Sequence, residues 1–339
     1  MAPPRAMHTE DYKMPYLPQI KILVPSAQVS SYTTGVLSLP SAKSAFVPPA
    51  VRGLFAGGED PRSNVIDYID INTTGNAIDF GDLSATRYGL AGCSSSTRGV
   101  FGGGNNAVDL DFIEYVTIAT TGNVVDFGDL TLARRYLGSC SNSTRGIWGG
   151  GNSVSENYNV TIDYITIATT GNATSFGSLS VGRRDVSGCA STTRGVFGGG
   201  LATGPTQTNV IDYVTIATTG NATDFGDLSV TRKATGACSN STRGLFGGGN
   251  SGSESNVIDY ITIATTGNAT DFGDLTLSRS DSSSCASTTR AVWGGGYAGS
   301  GSNVIDYVEI ATTGNAVDFG DRTVSKWGPG SCSNGHGGL

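Results

Sequence analysis

A nine-residue string, Ser/Thr-Thr-Arg-Gly-Val/Ile/Leu-Phe/Trp-Gly-Gly-Gly, returns along this chain at a nearly constant interval. It is centred on Arg98, Arg145, Arg194 and Arg243, with relaxed copies VRGLFAGG around Arg52 and TTRAVWGGG around Arg290. The intervals between these arginines are 46, 47, 49, 49 and 47 residues. Cysteine keeps the same beat at Cys93, Cys140, Cys189, Cys238, Cys285 and Cys332. Each unit continues as NVIDYVTIATTGNATDFGDL, as it stands from Asn209 to Leu228. Self-similarity on this period means that one supersecondary unit is stacked many times.

Four short strands fit in a unit. GACSN and RGLFGGG flank a Ser/Asn/Thr turn, while VIDYVTI and ATDFGDL flank ATTGN, whose Gly and Asn supply the positive φ of a tight connection. Four strands per forty to fifty residues is the arithmetic of a propeller blade, too long for a solenoid rung and without a helical period. Composition agrees: 50 Gly and only 14% charged residues read as an all-β chain punctuated by turns.

A hydrophobic pair followed by Gly-Gly, then a Tyr-bearing apolar strand, an aromatic strand end and an Arg resembles the kelch repeat. Here these are Leu245-Phe246-Gly247-Gly248, Tyr260, Phe272 and Arg279. The usual outer-strand Trp is instead Phe80, Phe127, Phe176, Phe225, Phe272 or Phe319. The wording of the repeat is also similar to kelch-like repeat proteins encoded by marine bacteriophages. The resemblance implies a closed β-propeller of four-stranded blades.

Six periods occupy residues 51–339, and the innermost strand of one blade is expected from Gly330–Asn334, closing the ring against Arg52–Gly58. GVLSLPSAKSAFVPPAVRGLFAGG from Gly35 superposes without a gap on GDLTLARRYLGSCSNSTRGIWGGG from Gly128, and IKILV (Ile20–Val24) sits where VIDYVTI belongs. Residues 20–50 therefore read as a degenerate blade fragment, which favours seven blades over six and a propeller over 20–339. Residues 1–19, with all three Met, read as an N-terminal arm.

Asp67, Asp163, Asp212, Asp259 and Asp306, with Glu114 in the equivalent place, fall inside an apolar strand and need partners. Arg98, Arg145, Arg194, Arg243 and Arg290 are the expected ones. The six cysteines occupy equivalent positions on successive blades, about 10 Å apart by the spacing of packed sheets, too far for disulfides. They read as free, buried thiols. No metal site and no cofactor is expected, and His8 and His336 lie outside the repeat, so no catalytic arrangement can be assembled.

Two segments vary between repeats while the turns do not. One follows Gly-Gly-Gly; the other precedes Cys. In an up-and-down blade both emerge on one face, and loops on a rigid scaffold carry recognition. The candidate contacts are Tyr88, Arg135, Tyr136, Arg184, Asp185, Lys233 and Trp327 near the channel mouth, with Tyr158 and Tyr297 in outer loops.

A net charge of −7 argues against nucleic acid. No signal peptide or transmembrane segment is legible. Two functions remain: a virion or surface structural protein (an appendage, fibre or capsid decoration) held through its arm to other virion proteins, whose variable face meets a host-surface glycan or protein; or a freestanding kelch-type binding module. Neither is an enzyme.

Overall fold

The computed structural model describes residues 50–339, so the arm and all but Ala50 of the fragment expected at 20–50 lie outside the described residues. Those described contain no helix and form six four-stranded antiparallel sheets, an arrangement consistent with a propeller. Sheet I joins Gly330–Ser333 to Arg52–Gly58, Ser63–Asp70 and Ile78–Asp82. Sheet II runs Ala91–Ser94, Arg98–Gly102, Phe112–Thr117 and Val125–Asp129; sheet III runs Gly138–Ser141, Arg145–Gly149, Thr161–Thr166 and Thr174–Ser178. Sheet IV is Ser187–Ala190, Arg194–Gly198, Val210–Thr215 and Thr223–Asp227. Sheet V is Gly236–Ser239, Arg243–Gly247, Val257–Thr262 and Thr270–Asp274, and sheet VI is Ser283–Ala286, Arg290–Gly294, Val304–Glu309 and Val317–Asp321.

Sheet I takes its inner strand from the other end of the chain, with Leu54 opposite Cys332 and Phe55 opposite Ser331, as the sequence led us to expect. In every sheet the third and outer strands slip register once. In sheet III the slip lies between Ile162 and Asp163, and it leaves the outer-strand Phe176 unpaired. A bulge of this kind re-aims a side chain. Phe176 is buried, and the edge of its ring meets Tyr164 at 5.8 Å.

The cores lie between sheets, since each sheet has two apolar faces to cover. One joins Cys93 and Phe127 of sheet II to Trp148 and Ile165 of sheet III. Equivalent clusters join III to IV, IV to V, V to VI, VI to I and I to II. Trp148 is fully buried, its indole N–H donates to the Ala91 carbonyl at 3.1 Å, and a Cβ at Gly102 would stand 2.9 Å from its ring. Glycine there lets the aromatic lie against the neighbouring sheet.

Hydrogen bonds trace the same cycle. Gly122 N–H donates to the Phe80 carbonyl at 2.8 Å, and the equivalent bond recurs at each junction until Gly75 donates to Phe319. Opposite this bond Gly226 holds φ +143°, and a Cβ on it would stand 2.5 Å from the Gly267 oxygen, so only glycine fits the repeated DFG position.

The six cysteines are free and buried, as expected. Burial raises every thiol, Cys140, Cys238 and Cys332 to about 12. These are packing residues, inert in the sense that a thiolate is hard to form.

Candidate functional site

Two sets of six arginines hold the sheets, and they divide the work differently from the sequence expectation. Arg98, Arg145, Arg194, Arg243 and Arg290 do not meet Glu114 or the buried strand aspartates, and Arg290 instead pairs with the exposed Glu309 at 2.9 Å. Each lies over the tyrosine of its own sheet, with Arg194 at 4.6 Å from the centre of Tyr213 and Arg145 at 4.8 Å from that of Tyr164. Each also donates to a carbonyl of the next sheet: Arg98 to Ile167 at 2.9 Å, Arg145 to Ile216 at 2.8 Å. Arg290 reaches Ile71, and Arg52 reaches Ile118. The planar guanidinium suits this double duty of stacking and donating.

The carboxylates are taken by arginines in the connections that enter each sheet. Arg134 meets Asp163 at 2.7 Å, Arg183 meets Asp212 at 3.0 Å, Arg232 meets Asp259 at 2.8 Å and Arg279 meets Asp306 at 2.9 Å. Glu114 meets Arg87 at 2.6 Å. A hydroxyl caps the second carboxylate oxygen, as Thr131 does for Asp163 and Ser229 for Asp259. These five arginines stand four residues after a leucine, as Arg134 does after Leu130. In the last repeat Arg322 replaces that leucine and Lys326 replaces the arginine. Arg322 still meets Asp67, at 3.1 Å, while Lys326 donates to the Pro61 carbonyl at 2.6 Å. The buried pair survives at the junction between the chain ends because the cation is supplied from a neighbouring position.

Immediately after these arginines the chain turns into the inner strands, and here the variable residues gather. Equivalent positions around the axis are Gly89, Tyr136, Asp185, Ala234, Asp281 and Gly328, all with φ between 51° and 65°. Their peptides form a cycle: Tyr136 N–H donates to Gly89, Asp185 to Tyr136, Ala234 to Asp185, Asp281 to Ala234, Gly328 to Asp281 and Gly89 to Gly328, at 2.7–2.9 Å. The left-handed region suits glycine and costs an L-residue about 1 kcal/mol. Yet Tyr136, Asp185, Ala234 and Asp281 carry side chains there.

One residue earlier stand Tyr88, Arg135, Arg184, Lys233, Ser280 and Trp327, each paired through its backbone with the first residues after Gly-Gly-Gly, such as Arg135 with Asn152 and Trp327 with Glu59. The two variable segments therefore share one face. Arg135, Arg184, Lys233 and Trp327 line a cavity of about 180 Å³ with Tyr136, Asp185 and Asp281. Tyr88 meets Trp327 at 5.5 Å and Tyr136 at 5.8 Å, and Tyr297 meets Trp327 at 6.4 Å, all edge-on. Tyr158 lies elsewhere, half-buried in its own loop and not lining this cavity.

Burial raises both Asp185 and Asp281. Lys233, Arg184 and Arg135 oppose the shift at Asp185, whereas Asp185 adds to it at Asp281, which rises to about 7. Asp281 is the member of the mouth that the sequence reading missed. Its signal was its place, two residues after Arg279 and aligned with Asp185. Below the mouth a cavity of about 110 Å³ follows the axis, lined by all six inner strands. At the far end His336 reaches the Ser94 carbonyl at 3.0 Å and Ser141 at 3.3 Å, and Gly337 donates to Ser239. Ala50 is there too, its carbonyl accepting from Asn334.

Among the described residues no three metal-ligating side chains come together, and no helix is long and apolar enough to cross a membrane. No protein-family model and no curated protein matches the chain.

Proposed function

We propose that the chain is a closed, six-bladed, kelch-like propeller whose work is recognition without catalysis, performed by the variable mouth while the opposite end faces its mount. The observation that carries this reading is the convergence of the divergent side chains on one cavity, with three of them (Tyr136, Asp185 and Asp281) held in a backbone conformation that glycine occupies in two sister repeats. Strained positions that present functional side chains are where function is to be sought. Six cyclic steps of hydrogen bonding and of core packing support closure at six blades.

A virion or surface setting is the second part of the proposal. The likeness to phage-encoded repeats supports it. Ala50, the first described residue, lies on the end opposite the mouth, where its carbonyl accepts from Asn334. Glycan and peptide arrays probed with the full chain, with Arg184→Ala/Trp327→Ala and with Arg194→Ala test the recognition claim. Binding lost in the mouth variant and kept in Arg194→Ala is expected. Binding that ignores the mouth, or no binding at all, would overturn it.

A further inference from the structure

Three chemistries meet at the mouth, and together they describe a ligand. The first is a cationic arc. Arg135, Arg184 and Lys233 stand at equivalent positions in three consecutive repeats of a chain whose net charge is −7. Arg135 gives one guanidinium nitrogen to Asp109 at 3.2 Å, and Arg184 comes no nearer to Asp185 than 3.7 Å. The rest of each guanidinium is left open to a ligand, since the side chains of both stay about a quarter exposed.

The second is an aromatic arc on the other side of the ring, where Trp327 and Tyr88 occupy the same equivalent position and Tyr136 and Tyr297 extend the surface. The third is a pair of acceptors, Asp281 between the arcs and Asp185 beside Arg184 within the cationic one. Asp185 and Asp281 flank Ala234 in the peptide cycle, and the Ser282 hydroxyl just below is buried and unpartnered.

A ligand that satisfies all three carries an anionic group for the guanidinium donors, an apolar face for the aromatic rings and several hydroxyl donors for the carboxylates. It must also be small enough for a cavity of about 180 Å³. A phosphodiester group or an Asp or Glu carboxylate brings the charge but no donor, and in a peptide the N–H donors stand on the backbone, away from the charged group. A sugar ring bearing a carboxylate has vicinal hydroxyls, an apolar C–H face and the charge on one compact body. Resting on the recognition reading above, we propose that the mouth binds the acidic terminal sugar of a saccharide, its carboxylate against Arg135 and Arg184, its C–H face on Trp327 and its hydroxyls on Asp185 and Asp281.

Tryptophan fluorescence reads this site selectively, because Trp148 and Trp293 are fully buried and Trp327, the third of three, lines the mouth. Glucuronate and galacturonate are titrated into the full chain, beside glucose, galactose and a Glu-containing tripeptide. The uronates should give saturable millimolar binding with the hexoses at least tenfold weaker. Arg184→Ala should weaken uronate binding at least tenfold with an unchanged melting profile. Trp327→Phe should abolish the fluorescence change while calorimetry still detects the sugar. Equal binding of neutral hexoses, preference for the peptide, or no uronate binding by either readout would overturn the proposal. If the uronates fail while an array ligand still depends on Arg184 and Trp327, the ligand class is wrong and the recognition reading stands. If no array ligand depends on the mouth, that reading fails as well.

Discussion

At one end of the axis the repeats differ at almost every exposed side chain; at the other they agree nearly letter for letter. Both ends are built from the same six units. The variable end rests on buried ion pairs immediately beneath it, since Arg183 precedes Arg184 and Asp185, and Arg134 precedes Arg135 and Tyr136. The constant end relies on arginines stacked over tyrosines at the surface and on glycines packed against the neighbouring backbone. A buried clamp beneath the variable pairs, supplied from the arginine position in five repeats and from Arg322 in the sixth, lets the exposed residues change without disturbing the packing between sheets. The constant end has no such layer, because its turns are themselves the contacts between sheets, and a changed residue there would break a junction.

That contrast predicts a large effect under the variable end. Asp212→Ala leaves Arg183 buried and uncompensated, which should destabilise the fold by about 3–5 kcal/mol in chemical denaturation. A loss below about 1 kcal/mol, in the range of exposed pairs, would mean that the clamp is solvated. At the constant end Arg194→Ala removes a partly exposed stack on Tyr213 and a bond to the Ile263 carbonyl. The expected loss is about 1–2 kcal/mol, combining a cation–π contact and one charged hydrogen bond. A loss as large as that of Asp212→Ala would erase the distinction between the two ends.

The ends should also respond to pH with opposite signs, a smaller effect. Asp281 favours its protonated form in the folded chain, so its contribution is fully present in acid and is lost as pH rises through about 7. His336, lowered to about 4 by burial, works the other way, and its contribution is lost as pH falls from about 6.5 towards 4. Melting temperature against pH should therefore flatten on the alkaline side in Asp281→Asn and on the acid side in His336→Gln. Unchanged profiles would show that neither group is held as the structure has it.

Much of this is legible in the sequence. The period, the four strands, the pairing of Gly330–Ser333 with the strand beginning at Arg52 and the buried thiols all follow from repeated words, because the same local sequence must make the same local structure each time. The partner of each strand carboxylate was not legible. Two arginines recur with the same period, and spacing alone does not say which one the bulge beside Asp163 turns towards. Arg322 was harder still, since it occupies the leucine position and acts from there. At the mouth, divergence among repeats led to Tyr88, Arg135, Tyr136, Arg184, Asp185, Lys233, Tyr297 and Trp327. It passed over Asp281, which stands alone among the serines of a variable segment, and the left-handed backbone beneath these residues has no signature once glycine is replaced. The expected seventh blade rests on residues 20–50, of which only Ala50 is described.

On the proposed reading, the mouth accepts backbone strain in order to present side chains. The triple variant Tyr136→Gly/Asp185→Gly/Asp281→Gly tests it most directly, with melting temperature and array binding measured on the same preparation. A higher melting temperature, by relief of about 1 kcal/mol at each left-handed site, is expected together with loss of binding. A lower melting temperature with binding retained would contradict it.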